Sequence, residues 1–298
     1  MTLTRTAPTR PHRASRTQRA NEQTRAVTRM TRGRGGVVLT ILAWVAALAF
    51  FFPILWMVLL SLRSESDAAT PKLFATITGV NYHGLWSGDV RIAILNSLNA
   101  SVTSTILVIL LAVPAAYALS IRPVKKWTDV LFFFLSTKMM PAVAALLPIY
   151  LVTNDLGLND NIWALIAVYT AANLPIAIWM LRSFLLEVPR EIIEAAQVDG
   201  ARLPTVLTRI IAPVVMPGLA ATALICFIFA WNEFLFALRL TGQNAKTAPV
   251  FLAGSIAPEG LFLAHLCAVA FVVCLPVLAA GWLAQDKLVR GLSLGAVK

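Results

Sequence analysis

Six long stretches with almost no charged residue set the main constraint on how this chain can fold. They lie between Arg34 and Arg63, between Arg91 and Arg122, and over residues 130–153, 161–181, 210–232 and 260–285. Only Lys138 interrupts them. Because a helix crosses the bilayer core with about 20 apolar residues, each stretch is long enough to span. The sequence therefore predicts an all-α integral membrane protein with six transmembrane helices.

Composition supports the membrane assignment. Hydrophobic residues make up 58% of the 298 residues and charged residues 13%. Average soluble domains contain roughly 45–50% and about 25%, respectively. A soluble protein with a large core does not explain uncharged stretches of this length.

The same pattern divides the chain into segments. Residues 1–36 contain nine arginines and one acid, Glu22, and are predicted to be a disordered basic tail. Residues 37–62 are predicted to be the first transmembrane helix. Residues 92–286 are predicted to be a transmembrane core of five helices with one long loop, residues 182–209. Residues 287–298 are predicted to be a C-terminal tail.

The distribution of the net charge of +11 predicts the topology. If the spans alternate from a cytoplasmic N-terminus, nineteen of the 25 lysines and arginines face the cytoplasm and five face outward. Such a bias places both termini in the cytoplasm. The basic residues thus indicate orientation and contact with membrane lipid. A nucleic-acid partner is not expected, because no aromatic residue lies among the tail arginines.

The loop 182–209 contains an ordered pattern of its own. Pro189 can begin a helix that continues to Val198. Asp199 and Gly200 then supply a left-handed turn that ends it. A second helix is predicted from Pro204 to residue 236, as an arm that enters the membrane.

One motif in this loop resembles a known family. Glu194-Ala195-Ala196, then Gly200, then Ala212-Pro213 resembles the EAA loop of binding-protein-dependent ABC importer permeases. The family usually has Leu before the final proline, where this chain has Ala212. The resemblance implies a type I importer transmembrane domain of a bacterial cell membrane. It also implies that Glu194, Ala195, Ala196, Asp199, Gly200 and Pro213 couple the chain to ATPases, with Glu194 paired to a basic group and both alanines allowing close approach.

Other segments are similar to the carbohydrate-uptake branch, of maltose-permease type. They are Asn96-Ser97, residues 115–119, residues 231–238 and residues 291–298. Residues 135–141 are most similar to sorbitol and mannitol permeases. This branch implies a sugar or polyol as solute, with glycerol phosphate as an alternative. It also implies a second permease subunit, two ATPase subunits and an extracytoplasmic solute-binding protein.

Polar residues inside the apolar stretches are candidates for the solute path. Lys138 is the most unusual, since an intramembrane lysine is a functional candidate unless its amine reaches the membrane edge. Neutral sugars require hydrogen-bonding and stacking groups, which Lys138, Asn173, Trp231 and Asn232 supply. Glu233 is a further candidate, either for solute or for a positive group on a docking protein or Arg239.

The chain itself carries no phosphate-binding loop. Its nearest match, residues 242–247, lacks the glycine before the lysine. We therefore expect no catalytic residue, metal or cofactor on this chain, and ATP with magnesium on the partner ATPases. Two other classes of membrane protein fit the sequence less well. A membrane enzyme needs a catalytic cluster, and none is apparent. A secondary transporter needs acids or histidines in the middle of its spans, whereas the acid Glu233 lies only at the outer end of the stretch 210–232.

The predicted topology can be tested by thiol labelling. A cysteine introduced at Asp89 or Asn244 is expected to react with a membrane-impermeant reagent in spheroplasts. A cysteine at Thr205 is expected to react only after permeabilisation. Labelling of Thr205→Cys in intact spheroplasts would reverse the orientation.

Overall fold

The computed structural model describes residues 34–68, 70, 76–86, 88–121, 124–255 and 262–296, without the side chains of residues 34–36, 197 and 286–296. These residues form helices and contain no strand. The predicted basic tail, apart from residues 34–36, lies outside the described residues. Contacts divide the chain into two units, one ending at Met57 and one beginning at Val58.

The first unit holds most of helix α1 (Arg34–Ser61). The helix begins three residues before the predicted position and continues through Pro53. The rings of Phe52 and Trp56 stack with centroids 5.9 Å apart. Its apolar length of 25 residues is sufficient to cross a membrane.

The second unit contains the remaining helices. They are α2 (Glu65–Ala68), α3 (Asp89–Ser120), α4 (Trp127–Met139), α5 (Ala142–Asp155), α6 (Ile162–Leu185), α7 (Arg190–Val198), α8 (Leu203–Thr205), α9 (Ala212–Val214), α10 (Met216–Trp231), α11 (Leu235–Leu240), α12 (Ala248–Gly254) and α13 (Leu263–Ala296). A 3₁₀ turn covers Val80–Tyr82, and a π-helical segment covers Val206–Ile211. The backbone of α13 continues through most of the predicted C-terminal tail, residues 287–298.

Four helices can cross a membrane alone: α1, α3, α6 and α13. Two further spans are broken pairs. Helices α4 and α5 meet at 92°, and the segment Leu203–Val214 meets α10 at 89°. The described residues thus contain four spans, or six if each bent pair is one span, as the apolar stretches predict. The single arm predicted over residues 204–236 is wrong, because the chain bends at Val215 and α10 ends at Trp231.

Proline chemistry accounts for the break between α4 and α5. Met140 is extended, with φ −66° and ψ 131°, and Pro141 follows it. A residue before proline avoids helical torsions because the proline ring clashes with its backbone. The sequence thus contains a sufficient cause for the end of α4 inside the apolar stretch.

Helices α3 and α6 pack closely along the centre of the second unit. Ala112 and Ala116 of α3 and Ala177 of α6 are fully buried. Small side chains let helix backbones approach, which is the main source of helix association in lipid. Two serines of α3 are also fully buried, and the Ser101 hydroxyl donates to the Ser97 carbonyl at 2.6 Å.

Arg182, near the end of α6, connects three helices. Its Nε donates to the Leu119 carbonyl of α3 at 3.2 Å. Its guanidinium carbon lies 4.4 Å from the centroid of the Trp127 ring at the start of α4. A cation over an indole ring is attractive, so this residue joins the α6 end of the bundle to α3 and α4.

A close approach between α6 and α10 gives a stability prediction. A Cβ atom on Gly218 would overlap the ring of Phe184. Gly218→Ala is expected to destabilise the protein by about 1–3 kcal/mol, the usual cost of overpacking. Thermal unfolding in detergent measures the effect, and Phe184→Leu in the same chain should recover part of it.

Gly281→Ala is the matched control. It makes the same change in a helix where nothing lies within 4 Å of the added atom. Equal unfolding temperatures for the Gly218 and Gly281 variants would contradict the close approach.

Candidate functional site

The loop between α6 and α10 holds a surface helix, α7, against the bundle. Ile193 and Ala196 of α7 are 2% and 6% exposed. They join a hydrophobic cluster that includes Leu181 and Leu185 of α6 and Val206 of the π segment. Burial of these side chains fixes α7 to the ends of both adjoining helices.

Gly200 ends α7 as the sequence predicts. Its φ is +72°, in the left-handed region. The Ala201 amide donates to the Ala196 carbonyl at 2.9 Å, which is the bond that closes a Schellman motif. The Asp199 amide bonds the Ala195 carbonyl at 3.0 Å. The direction of the chain after α7 therefore depends on one positive φ value.

The opposite face of α7 is exposed. Glu194, Ala195 and Asp199 are exposed there. The expectation for Ala196 is wrong in one respect: its methyl group packs into this chain's own core and is not available to a partner. Sequence reasoning also missed two apolar side chains on this surface, Val198 at 88% and Leu203 at 51% exposed.

The segment after Gly200 is irregular. Six residues, Val206–Ile211, form a π helix, which is rare and often lies at functional sites. Pro213 is exposed in α9, and the 89° bend follows at Val215. Since proline has no amide N–H, the turn before it loses one helical hydrogen bond. Together these features place the irregular part of this span next to α7.

A cavity of about 630 Å³ lies at the bend between α4 and α5. Residues of α6 and Phe236 of α11 form its other walls. The lining is mainly apolar, with Lys138, Thr137 and Thr153 as polar members. Its size is within the roughly 300–1,000 Å³ of small-molecule sites.

Lys138 places its amine against the middle of α6. Nζ donates to the Ala172 carbonyl at 3.1 Å and lies 5.3 Å from the Phe229 ring centroid. Pro175 follows three residues after Ala172, in the part of α6 where a proline weakens the regular backbone bonds. Neither the carbonyl nor the aromatic partner could be read from the spacing of the sequence.

Asn173 and Asn232 have different positions. Asn173 is 4% exposed, and its Nδ2 lies 3.5 Å from the Cys226 carbonyl of α10. Lys138 therefore bonds the residue that precedes Asn173, and the two side chains reach the same stretch of α10. Asn232 is exposed at the end of α10, where Nδ2 donates to the Ile228 carbonyl at 2.9 Å.

Two other candidates of the solute path have structural partners. Trp231 is 2% exposed and stacks on Phe227 with centroids 5.8 Å apart, so the expectation that it offers a stacking surface to solute is wrong. The Glu233 carboxylate accepts the amides of Phe236 and Ala237 at 2.9 and 3.1 Å. Glu233 thus caps α11.

A bundle of apolar spans, two of them broken, with a surface helix fixed beside one break, defines the membrane subunit of a transporter. The chain belongs to the family described as binding-protein-dependent transport system inner membrane component, which it matches over residues 108–289. That range contains α7, both breaks and Lys138. The protein is accordingly an integral membrane component of this transport family.

Individual relatives agree with this assignment. A probable ABC transporter permease protein y4oR of Sinorhizobium fredii is 38% identical, over 85% of this chain and 92% of the relative. The trehalose transport system permease protein SugB of Mycobacterium tuberculosis is 33% identical, over 83% and 91%. The structure of a bacterial ABC transporter that imports the acidic polysaccharide alginate aligns with a TM-score of 0.73 at 23% identity, over 92% and 98%, and shows the same fold.

Gly200 gives a test of the coupling role that the sequence predicts for the loop 182–209. Gly200→Val is expected to lower both solute uptake and solute-stimulated ATP hydrolysis of the assembled transporter. A β-branched residue at this φ costs on the order of 1 kcal/mol or more, so the turn after α7 changes. Collision is not the cause, because nothing lies within 4 Å of the added Cβ.

Gly200→Asn is the control, since asparagine enters the left-handed region more readily than other residues. It should retain most of the activity. Wild-type uptake by Gly200→Val at equal membrane abundance would contradict the role of this turn.

Proposed function

We propose that this chain is the permease subunit of an ATP-driven importer for a sugar or polyol, and that Lys138 lines the solute path. The observation that carries the proposal is the position of the Lys138 amine, bonded to a mid-helix carbonyl of α6 and facing the cavity. The trehalose permease and the alginate importer among its relatives support a carbohydrate as solute.

The depth of Lys138 argues against a lysine that only reaches for the membrane edge. It lies eleven residues after the start of α4, about 16 Å along the helix axis. Its acceptor, Ala172, is near the middle of the 24-residue α6. An amine held there needs a wet or protein-lined environment, because a charge in lipid is costly.

The cavity walls suit a carbohydrate. Apolar surface packs against the C–H faces of a sugar ring, while a few polar groups fix its hydroxyls. Lys138 donates hydrogen bonds, and Thr137 and Thr153 carry hydroxyls on the same lining. Because Lys138 is cationic, an anionic solute such as glycerol phosphate is the second candidate.

The remaining parts of the proposal concern partners. The exposed face of α7, with Glu194, Ala195 and Val198, is proposed to bind an ATPase subunit that hydrolyses ATP with magnesium. A second permease subunit is proposed to complete the path, and an extracytoplasmic binding protein to deliver the solute. The positive-inside bias supports a cytoplasmic position for α7 and both termini.

A deletion strain tests the proposed function. Loss of this chain should abolish uptake of at least one radiolabelled sugar or polyol from a panel that includes trehalose, mannitol and glycerol phosphate. A plasmid copy should restore it. Unchanged uptake of the whole panel, or a defect confined to amino acids, would contradict the assignment.

Lys138→Leu is expected to insert and assemble normally but to transport poorly. The change removes the charged donor of the bond to the Ala172 carbonyl. A hydrogen bond to a charged group contributes about 1.5–3 kcal/mol, which corresponds to roughly a 10- to 150-fold decrease in uptake. Lys138→Arg should retain part of the activity. Uptake by reconstituted transporter, normalised to assembled protein, is the measurement.

Lys125→Leu is the matched control, because it makes the same change at an exposed position before α4. It should transport as the wild type does. Wild-type uptake by Lys138→Leu would assign Lys138 a structural role only.

A further inference from the structure

Asp160 lies in the turn between α5 and α6 and binds a distant segment of the chain. Its backbone is left-handed, with φ 57°, and its amide donates to the Leu240 carbonyl at the end of α11 at 2.8 Å. Its carboxylate accepts the four consecutive backbone amides of residues 242–245 at 2.7, 3.1, 3.0 and 2.9 Å. The Asn244 side chain adds a fifth bond at 3.0 Å.

This carboxylate is fully occupied within the chain. Two carboxylate oxygens offer about four acceptor positions, and five N–H groups use them. Burial by itself would raise the pKa of Asp160, but the amides of residues 242–245 outweigh it and hold the pKa below its ordinary value. The bonds to the anion therefore persist at and above the ordinary pKa and are lost only as the pH falls through the lowered one.

The same segment is attached to α3. Asn96 Nδ2 donates to the Asn244 and Lys246 carbonyls at 2.8 and 3.0 Å. Ser97 Oγ accepts the Ala248 amide at 2.8 Å. We use the name clasp for Asp160, Asn96 and residues 241–247. The clasp is polar, ordered by its own bonds and exposed at residues 242–244.

The clasp connects the end of α10, through α11, to the start of α6. Glu233, just after the end of α10, caps α11 with its carboxylate. The carbonyl of Leu240, the last residue of α11, then accepts the amide of Asp160 beside the start of α6. The other ends of α6 and α10 are joined by the loop that holds α7. Hydrogen bonds thus connect the two helices at the end opposite to α7.

We infer that Asp160 is a positioning residue of the transport cycle. Its clasp makes α6 and α10 move together, so that docking of the solute-binding protein at the outer face changes the position of α7 at the other end of these helices. The inference rests on the proposed function. On the α7 side, the 89° bend at Val215 and the π segment interrupt the regular helix that leads into α10. Without the clasp, the apolar packing of Ala230 and Leu240 in one cluster with Leu165 remains to join this region to the start of α6. A displacement at the outer face is then absorbed in part before it reaches α7.

Asp160→Asn in the complete transporter, reconstituted into vesicles, tests this inference. Asparagine has the same shape but offers one acceptor oxygen and turns an NH₂ group towards amide donors. We expect basal ATP hydrolysis to be retained, while stimulation by solute-loaded binding protein and solute uptake are lost. Asp155→Asn, the same change at an exposed position at the end of α5, should behave as the wild type.

A disulfide provides a reversible test, because the attachment can be removed and restored in the assembled transporter while basal hydrolysis is monitored. A Cβ atom on Gly242 would lie 3.2 Å from the Asp160 Cγ, close to the roughly 3 Å between a disulfide sulfur and the opposite Cβ. Asp160→Cys with Gly242→Cys should lack stimulation when reduced and regain it when oxidised. Asp160→Cys alone, under the same oxidant, controls for the native Cys226, Cys267 and Cys274.

Two results would overturn the inference. The first is full stimulation of ATP hydrolysis by the solute-loaded binding protein in the Asp160→Asn transporter. The second is loss of both basal and stimulated ATP hydrolysis, with no recovery in the oxidised double variant. That second result would make Asp160 a folding residue only. Neither bears on the proposed function, which fails only if the wild-type transporter takes up no sugar or polyol.

Discussion

The bilayer offers no water to backbone amides and carbonyls, and this constraint decides where the spans can break. Breaks are tolerated only where they face protein or a wet cavity. The bend at Met140 adjoins the cavity that contains Lys138, and the bend at Val215 adjoins the loop with α7. Each of these two bends therefore lies beside a feature to which the proposed function assigns a role.

Helix α6 is the element on which these features converge. Its middle supplies the Ala172 carbonyl to Lys138, its last turn supplies Arg182 to α3 and α4, and Asp160 precedes its first residue. It is also among the most buried of the described spans, as expected for a helix contacted from several sides. A small rotation of α6 would alter the cavity and the position of α7 together.

Much of the fold could be predicted from the sequence, because uncharged length, prolines and a glycine at a turn act locally. The six stretches, the break near Pro141 and the left-handed Gly200 are of this kind. The side chains of Trp231, Glu233 and Ala196 were assigned outward roles, whereas the first packs against Phe227, the second caps α11 and the third is buried. Spacing along a helix does not show which face meets a neighbour. Asp160 was missed because its partners are more than 80 residues away.

Two cationic side chains connect α4 to α6: Lys138 of α4, which lines the cavity, and Arg182 of α6, which does not. At the end of α4, the Lys138 amine is bonded to the Ala172 carbonyl beside the cavity, and at its start the Trp127 ring lies under Arg182. The two attachments are eleven residues apart, about 16 Å along the helix. A ligand in the cavity competes for Lys138 alone, since Arg182 and Trp127 are not part of the lining. Under the proposed function, exchange of that one bond would free the Lys138 side chain next to the bend, while Leu131 and Phe134 keep the preceding turns of α4 packed against the core.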